Sequence, residues 1–326
     1  MVKNMATIRD IAKAAGVSVG TASRAITGNG YVSEENRTLV MQAAENLGYT
    51  PKERKKTSTN TKTVGVILPD ATFPFYGSFL KYAEVELARR GYRTVVCNTL
   101  GVQNRVSGML DLLSTGELDG LILNADVTPE EIARMENLPV VSFERLLGKK
   151  IPMVSSDHCQ GGRMAAAELL RSGCKKVMLL AARHSNRLFG DSRIEECRRL
   201  LESEGVEVIV AEIPGSLLSI RYTKEVIREY LLLYSDVDGI FTDDLMAFCC
   251  MMEAQERGII IPDQLRIVGY DGTEILKIVS PRLTTIVQDI PQLTKSCVDL
   301  LMRRIAGEKT EEETIVPVTF MKGGTT

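Results

Sequence analysis

Histidine and closely spaced cysteines are scarce in this chain of 326 residues. Only His158 and His184 are present, and the seven cysteines include no C-x-x-C pair. Because protein zinc sites draw on closely spaced cysteine and histidine ligands, the sequence predicts no metal site. An odd number of cysteines also argues against a complete disulfide framework, so we expect reduced thiols, as in a cytosolic protein.

Long apolar runs and the common nucleotide-binding motifs are also missing. No stretch is apolar enough to span a bilayer, and no secretion signal opens the chain, so we expect a cytoplasmic protein without a membrane partner. No G-x-G-x-x-G follows an early strand, no G-x-x-x-x-G-K-[ST] loop occurs, and no nucleophile and base stand out as a pair. The sequence therefore predicts neither an enzyme nor a cofactor.

Charge is distributed unevenly along the chain, although the net charge of −2 alone would not suggest a nucleic-acid partner. Residues 1–62 contain ten basic and five acidic side chains and carry +5, so the remainder must carry −7. The length suggests a little over two domains. A basic N-terminal module on an acidic body is expected when only one end of the molecule contacts phosphate.

Residues 7–49 have the pattern of three short helices. Thr7 is a candidate N-cap with Asp10 closing a capping box, and Gly16 can take the positive φ that ends a helix. Ser18 and Ser33 are candidate caps of the second and third helices. Two short helices joined by a tight turn and braced by a third form a helix-turn-helix unit, whose second helix fits a DNA major groove. A three-helix packing module that binds no DNA is the alternative.

The pattern changes after a polar, basic linker at residues 51–62. From Thr63 onward, short buried strands alternate with amphipathic helices in two series of comparable size. Continuous apolar strands between such helices indicate parallel sheets covered on both faces. We therefore predict an all-α helix-turn-helix headpiece followed by two doubly wound parallel-sheet α/β lobes.

Polar side chains follow the predicted strands. Open α/β sheets bind ligands beyond the carboxyl ends of their strands, so these side chains are candidates for a binding site. Carboxylates accept paired hydroxyl hydrogen bonds, arginine donates in a fixed fork, and aromatic rings cover the C–H face of a sugar. Such a set predicts a small polyhydroxylated ligand and comprises Asp70, Phe73, Phe75, Tyr76, Glu144, Arg145, Arg193, Asp243, Asp244 and Asp271.

Two groups of motifs resemble one known family. ATIRDIAKAAGVSVGTASRAITG, YVSEENR and LGYTP are similar to the DNA-binding headpiece of the lactose/galactose repressor (LacI/GalR) family of bacterial transcriptional regulators. VGVILPDATFPFY, VDGIFTDD, RIVGYDG and SPRLTTIVQD resemble the effector domain of the same family, which is itself similar to periplasmic sugar-binding proteins. The LPD-x-x-x-PF run, the VSSD segment and the PVTF ending are most similar to ribose-operon-type repressors.

The resemblance covers nearly the whole chain and implies a repressor that binds double-stranded operator DNA under the control of a small carbohydrate effector. It implies a DNA-binding domain at residues 1–50, a hinge at residues 51–62 and an effector-binding and dimerisation domain at residues 63–326. Lobe 1 would span about 63–159 plus 291–317, and lobe 2 about 160–290 plus 318–326. Implied effector contacts are Phe75, Glu144, Arg193, Asp243, Asp271 and Gln288.

The same resemblance places Val19, Gly20 and Arg24 against base edges. An arginine bidentate to guanine is the commonest specific contact, and a valine can touch a thymine methyl group. We expect Thr7, Ser18, Thr21 and Ser33 to hold phosphates instead. Because one headpiece reads only a few base pairs, operator affinity calls for two half-sites and a homodimer.

The chain departs from the family pattern at three places. No leucine lies between Thr50 and Val64, so the usual minor-groove wedge of the hinge is not implied. The linker cations could hold phosphates or form a solvated tether; they are Lys52, Arg54, Lys55 and Lys56. Phe73 stands where asparagine is common and Glu144 where aspartate is common, so the resemblance does not fix ribose as the effector.

Several alternatives remain open at this point. Phe75 could belong to the core, Asp244 could cap the next helix, Asp271 could form a turn, and Arg193 could make a surface ion pair with its neighbours Asp191 and Glu195. For the whole chain, the main alternative is a doubly wound sugar- or nucleotide-processing enzyme fused to a DNA anchor. A sugar carrier would need the secretion signal that the sequence lacks.

Overall fold

The computed structural model describes residues 6–27, 32–49, 61–102, 104–183, 191–214, 220–274, 278 and 280–326. They form two compact units, residues 1–58 and residues 59–326. His184 and the linker cations Lys52, Arg54, Lys55 and Lys56 lie outside the described residues.

The N-terminal unit contains α1 (Ile8–Ala15), α2 (Val19–Thr27) and α3 (Glu34–Asn46). Thr7 caps α1 with the predicted capping box, because its hydroxyl accepts from the Asp10 N–H and its own N–H donates to the Asp10 carboxylate. Gly16 ends α1 with φ 68°. The three helices enclose a small core of Ile11, Ala12, Ala22, Ala25, Val32, Val40, Ala43 and Ala44.

Lobe 1 of the second unit is a sheet of six parallel strands in the order β11-β5-β4-β3-β1-β2. Its strands are β1 (Thr63–Leu68), β2 (Arg93–Asn98), β3 (Gly120–Leu123), β4 (Val140–Phe143), β5 (Met153–Ser156) and β11 (Glu313–Val316). Its helices are α4 (Pro74–Arg89), α5 (Arg105–Thr115), α6 (Pro129–Met135) and α11 (Ile290–Ile305). Apolar side chains of α4 and α11 pack on one face of the sheet, and those of α5 and α6 pack on the other.

Lobe 2 repeats this plan with the strand order β12-β10-β9-β8-β6-β7. Its strands are β6 (Lys176–Arg183), β7 (Glu207–Pro214), β8 (Gly239–Phe241), β9 (Arg266–Asp271), β10 (Thr284–Gln288) and β12 (Val318–Met321). Its helices are α7 (His158–Arg171), α8 (Asp191–Ser203), α9 (Ile220–Leu233) and α10 (Asp244–Glu256). One difference from the expected parallel sheet is the edge, where β12 runs antiparallel to β10.

Within the described residues, the chain passes between the lobes at three places. It leaves β5 for α7 across Asp157, leaves β10 for α11 across Asp289, and leaves β11 for β12 across Pro317. These short segments form the hinge of the body. Because the polar residues after β4, β8, β9 and β10 all lie at carboxyl ends of parallel strands, the fold directs them toward the region between the two sheets.

The helices and the cysteines of the structure bear on the two expectations drawn from composition, namely no membrane span and no disulfide bonds. No helix among the described residues is both long and apolar enough to cross a bilayer. All seven cysteines are free thiols.

Candidate functional sites

Arg193 lies on an aromatic platform between the lobes. Its guanidinium carbon is 4.4 Å from the centre of the Tyr270 ring, and that ring is completely buried at the end of β9. None of the described residues accepts a hydrogen bond from this guanidinium. Glu195, the expected partner in a surface ion pair, is bound to Arg198 at 2.7 Å instead. The ion-pair alternative is therefore wrong for Glu195, and the donor fork of Arg193 is available to a ligand.

Two carboxylates surround this arginine. Burial lowers the pKa of Arg193, but the nearby Asp271 and Asp243 outweigh that effect and raise it. Burial likewise raises the pKa of Asp243 and, more strongly, that of Asp271, which also lies near Asp244. Asp271 has φ 114°, an unusual backbone conformation for a residue other than glycine. The predicted residues Arg193, Asp243 and Asp271 thus share one electrostatic environment.

Of the two adjacent carboxylates after β8, Asp243 and not Asp244 caps the next helix. Asp243 is the N-cap of α10 and accepts a hydrogen bond from the Met246 N–H at 2.9 Å. Asp244 is 2% exposed and accepts from the Thr285 hydroxyl at 2.6 Å and from the Thr273 N–H at 2.9 Å. The alternative that Asp244 caps the helix is therefore wrong, and Asp244 holds the loop that follows Asp271.

The buried Asp244 predicts a pH-dependent stability. Burial raises the pKa of Asp244 from 3.8 to about 7, so between these values the folded protein keeps a proton that the unfolded chain releases. Stability should then fall as the pH rises from 4 to 7 and level off above, by roughly 2–4 kcal/mol at most. Melting temperatures from pH 4 to pH 8 should show this slope in the wild type and a flatter profile in Asp244→Asn.

Asp263→Asn is the matched control, because Asp263 is an exposed carboxylate of the same lobe. It should retain the wild-type slope. An Asp244→Asn protein with that same slope would contradict the assignment.

Gln288 connects Asp271 to lobe 1. Its side-chain N–H donates to the Asp271 carboxylate at 2.8 Å, and its carbonyl oxygen accepts from the Ser156 hydroxyl at 2.6 Å. Because both amide ends have partners, the orientation of Gln288 is fixed by the hinge on one side and by Asp271 on the other.

Glu144 follows β4 with φ 56° and is 7% exposed. Its carboxylate accepts from the Ser155 hydroxyl at 2.7 Å and from the Ser156 N–H at 3.1 Å, and it contacts Nε2 of His158. Burial would raise the pKa of Glu144, but the contact with His158 outweighs it and the pKa is lowered. Glu144 is therefore an ionised carboxylate of lobe 1 that contacts the first residue of α7.

Aromatic side chains of α4 line the lobe 1 side. Phe75 packs partly against the lobe 1 core and meets Tyr76 edge to face at 5.3 Å. Burial raises the pKa of Tyr76, and Arg145 and Asp271 are the strongest charges acting on it. Tyr76 thus feels charges from both lobes. Phe79 is completely buried and stacks on Phe143 at 3.8 Å, which makes it a core residue.

Arg145 is paired within lobe 1. It donates to the Asp126 carboxylate at 2.7 Å and to the side-chain oxygen of Asn124 at 3.1 Å. Asn124 in turn donates to the backbone oxygen of Phe143. The guanidinium of Arg145 therefore already donates to protein acceptors, whereas none of the described residues accepts a hydrogen bond from that of Arg193.

Gly162 allows α7 to approach the backbone that carries Arg193. A Cβ atom on Gly162 would lie 2.2 Å from the Arg193 backbone oxygen, so any side chain there would force α8 away. We predict that Gly162→Ala destabilises the protein by about 1–3 kcal/mol through overpacking. Thermal unfolding should show a lower melting temperature, and sugar binding should weaken because Arg193 moves with α8.

Gly108→Ala is the matched control, since Gly108 is also helical and a Cβ there would meet no atom within 4 Å. That variant should be as stable as the wild type or slightly more stable, because alanine favours helix over glycine. Equal melting temperatures for the two variants would show that the contact of α7 with Arg193 tolerates a side chain.

In the described part of the chain, no three or more histidine, cysteine or acidic side chains lie together in a group that could hold a metal ion.

On the N-terminal unit, the predicted base-reading residues lie on the surface of α2. Val19 is 48% exposed, and Gly20 and Arg24 are also exposed. Nε of Arg24 donates to the Gly20 backbone oxygen at 3.1 Å. A side chain held against its own helix in this way must release that bond to reach a base.

The predicted phosphate-contacting residues cluster at helix N-termini. Ser18 accepts from the Thr21 N–H at 3.0 Å, and the two hydroxyls are 2.9 Å apart. Ser33 caps α3 by accepting from the Asn36 N–H, and the Thr7 hydroxyl donates to Asp10. Helix N-termini of this kind favour phosphate through their free N–H groups and their dipole.

Two protein-family models match the chain. Residues 7–52 match bacterial regulatory proteins of the lacI family, and residues 166–326 match a periplasmic binding protein-like domain. The sucrose operon repressor of Streptococcus mutans serotype c is 34% identical over 328 residues, which cover 98% of this chain and 99% of the relative. This chain belongs to the LacI family. The family resemblance inferred from the headpiece and effector-domain motifs is confirmed.

Further comparisons agree with this membership. The ribose operon repressor of Bacillus subtilis is 32% identical over 326 residues, with 99% of each chain covered. The structure of the transcriptional regulator CelR in complex with cellobiose matches with a TM-score of 0.72 and 26% identity, covering 98% of this chain and all of that one. As a LacI-family member, this protein is a transcriptional regulator, so the alternative of an enzyme fused to a DNA anchor is wrong. The predicted fold class is confirmed.

Sequence reasoning missed the interior side chains that connect the predicted residues. Tyr270 precedes Asp271 in a strand and received no role from the sequence, and His158 was considered only as a metal ligand. Ser155 and Ser156 occur in the VSSD motif without any sign of their partners. The one available signal was the position of His158 next to an aspartate that caps a helix at a strand end.

Proposed function

We propose that this LacI-family protein represses transcription as a homodimer bound to operator DNA, and that a sugar bound between its lobes controls operator affinity. The observation that supports it best is the half-buried Arg193 on Tyr270, with its donor fork available and Asp243 and Asp271 beside it. A fork of donors between carboxylate acceptors matches neighbouring hydroxyls of a sugar, which both donate and accept. The relatives named for sucrose, ribose and cellobiose support the same ligand class.

The effector contacts that we propose are Phe75, Glu144, Arg193, Asp243, Asp271 and Gln288. The carboxylates and Gln288 would fix hydroxyl groups, and Phe75 with Tyr76 would cover the apolar face of the ring. Residues 1–50 would bind DNA, residues 51–62 would form the hinge to the body, and residues 63–326 would bind the effector and dimerise. The protein would act in the cytoplasm, where operator DNA is accessible.

The homodimer has support from the edge of lobe 1. Edge strand β2 exposes Val95 and Val96, and Leu100 and Val102 continue the exposed apolar surface beyond it. An apolar edge strand is a hazard for a monomer, because its free backbone groups and side chains pair with other chains. A second copy of the body would cover this edge and bring two headpieces to two half-sites.

Coupling between sugar and DNA follows from linkage. A ligand that contacts both lobes favours one hinge arrangement, and it can change operator affinity only by its differential affinity for the two arrangements. The network of Ser156, Gln288 and Asp271 crosses the hinge, so a sugar held by Asp271 would act on the residues that join the lobes.

A combined DNA and sugar assay tests the proposal. The protein should shift a promoter fragment from near its own gene, and thermal-shift screening of pentoses, hexoses, disaccharides and their phosphates should find a sugar that raises the melting temperature. The same sugar should change the midpoint of the DNA titration in one direction. Absence of promoter preference at every salt concentration and with every sugar would refute the proposed function.

A further inference from the structure

We propose that His158 is a positioning residue for the effector site, because it joins lobe 1 to the aromatic ring on which Arg193 lies. The three residues involved, Glu144, His158 and Tyr270, form a continuous chain of contacts that we call the hinge relay. The inference rests on the proposed function, since it assigns a role within the same sugar site.

The lobe 1 end of the hinge relay is firmly held. Glu144 follows β4, and its carboxylate is bound by the Ser155 hydroxyl and the Ser156 N–H, both from the neighbouring strand β5. His158 Nε2 supplies a third contact. Protein groups therefore use most of the acceptor positions of this carboxylate, which has about four. Glu144 can therefore hold the imidazole of His158 and still accept a hydrogen bond from one sugar hydroxyl.

The two partners of His158 match one tautomer of the neutral imidazole. An ionised carboxylate can only accept, so Nε2 of His158 carries the proton that it donates to Glu144. In the neutral imidazole Nδ1 is then an acceptor, and the Tyr270 hydroxyl, 2.7 Å away, donates to it. With His158 1% exposed, water does not compete for these positions.

The lobe 2 end of the hinge relay is the platform for Arg193. Tyr270 is fully buried in β9, and Gly161 of α7 leaves room for its ring, since a Cβ there would lie 2.6 Å from the ring. The guanidinium carbon of Arg193 lies 4.4 Å from the centre of the same ring. Fixing the hydroxyl of Tyr270 to lobe 1 through His158 therefore fixes where Arg193 meets a sugar.

Removing single links tests this role. Tyr270→Phe deletes only the hydroxyl and keeps the ring under Arg193, while His158→Asn removes the bridge. Each should weaken sugar binding by about tenfold, the ratio that corresponds to one lost hydrogen bond. The double variant should be no weaker than either single variant, because both changes break the same chain.

Tyr230→Phe is the matched control, since it also deletes a tyrosine hydroxyl bond in lobe 2, to the Glu212 backbone oxygen. Titration calorimetry with sucrose and with D-ribose measures the affinities, and circular dichroism confirms folding of each variant. Tyr230→Phe should bind as the wild type does. If the wild type binds a probe and Tyr270→Phe binds it equally well, the positioning role is refuted.

A spectroscopic arm separates this inference from the proposed function. The chain has only two histidines, so His184→Gln leaves the imidazole of His158 as the single signal. Long-range ¹⁵N–¹H spectra should show protonated Nε2 and an Nδ1 shift that changes in Tyr270→Phe. Failure of both sugars to bind the wild type would count against the sugar proposal alone. A tautomer with protonated Nδ1 would overturn the hinge relay whatever the sugar result.

Discussion

Replacing Arg193 with alanine should weaken sugar binding by about 100-fold, since hydrogen bonds to charged groups contribute about 1.5–3 kcal/mol each. Arg193 lies on the Tyr270 ring, and none of the described residues accepts a hydrogen bond from its guanidinium. The substitution should therefore remove hydrogen bonds to the sugar without breaking any to these residues. Operator binding without sugar should remain close to that of the wild type. The variant would then repress without responding to its effector.

Arg193→Ala should weaken sugar binding by a second route, through the pKa of Asp271. Arg193 opposes the burial that raises the pKa of Asp271, so its removal should raise that pKa further. A protonated Asp271 is a weaker acceptor for a sugar hydroxyl. We therefore expect residual binding by the variant to improve as the pH rises.

Calorimetry with the sugar found by thermal shift provides the measurement, and two variants are the controls. Arg198→Ala removes an exposed arginine from the same helix, where it pairs with Glu195, and should bind the sugar normally. Arg193→Lys keeps the charge but loses the planar fork, so it should recover only part of the affinity. Wild-type sugar affinity in Arg193→Ala would show that the arginine is not a ligand contact.

The fold could be predicted from the sequence wherever the apolar residues of a segment had the regular spacing of a helix or formed the continuous run of a buried strand. The fully buried β1 and the helix with Phe79, Ala83 and Leu87 are examples. Strands β5 and β10 have no such regular spacing of apolar residues, because Ser155, Ser156 and the threonines of β10 place polar side chains at buried positions. Those hydroxyls have buried partners from distant parts of the chain, as in the bond from Thr285 to Asp244, and such partners cannot be seen in a local window.

The candidate site was predicted from the rule that open α/β sheets bind ligands beyond the carboxyl ends of their strands. The observed fold agrees with this rule. The rule could name Asp243 and Asp271, because each follows or ends a parallel strand, whereas Gln288 was named only from the family resemblance. It could not tell which of Asp243 and Asp244 caps α10, since adjacent carboxylates have equal propensity for an N-cap. It also could not find His158, whose partners Glu144 and Tyr270 lie 14 and 112 residues away in the chain.

Replacing Arg24 with alanine should abolish operator preference while leaving weak binding that depends strongly on salt. A bidentate arginine contributes about 1–3 kcal/mol of base discrimination, and a dimer loses this contribution at both half-sites. The combined loss is about 2–6 kcal/mol, or roughly 30-fold to 10⁴-fold in operator affinity. Contacts to phosphates are independent of sequence and should persist, so binding to random DNA should change little.

The side chain of Arg24 explains why the effect should fall on specificity. It is exposed on α2 and lies beside Gly20, which offers no side chain to read a base in its place. Footprinting and gel shifts on operator and random DNA measure the ratio of the two affinities. Arg228→Ala, which removes another exposed arginine, this time from the body, should leave that ratio unchanged. A wild-type footprint from Arg24→Ala would mean that bases are read by other residues of the headpiece.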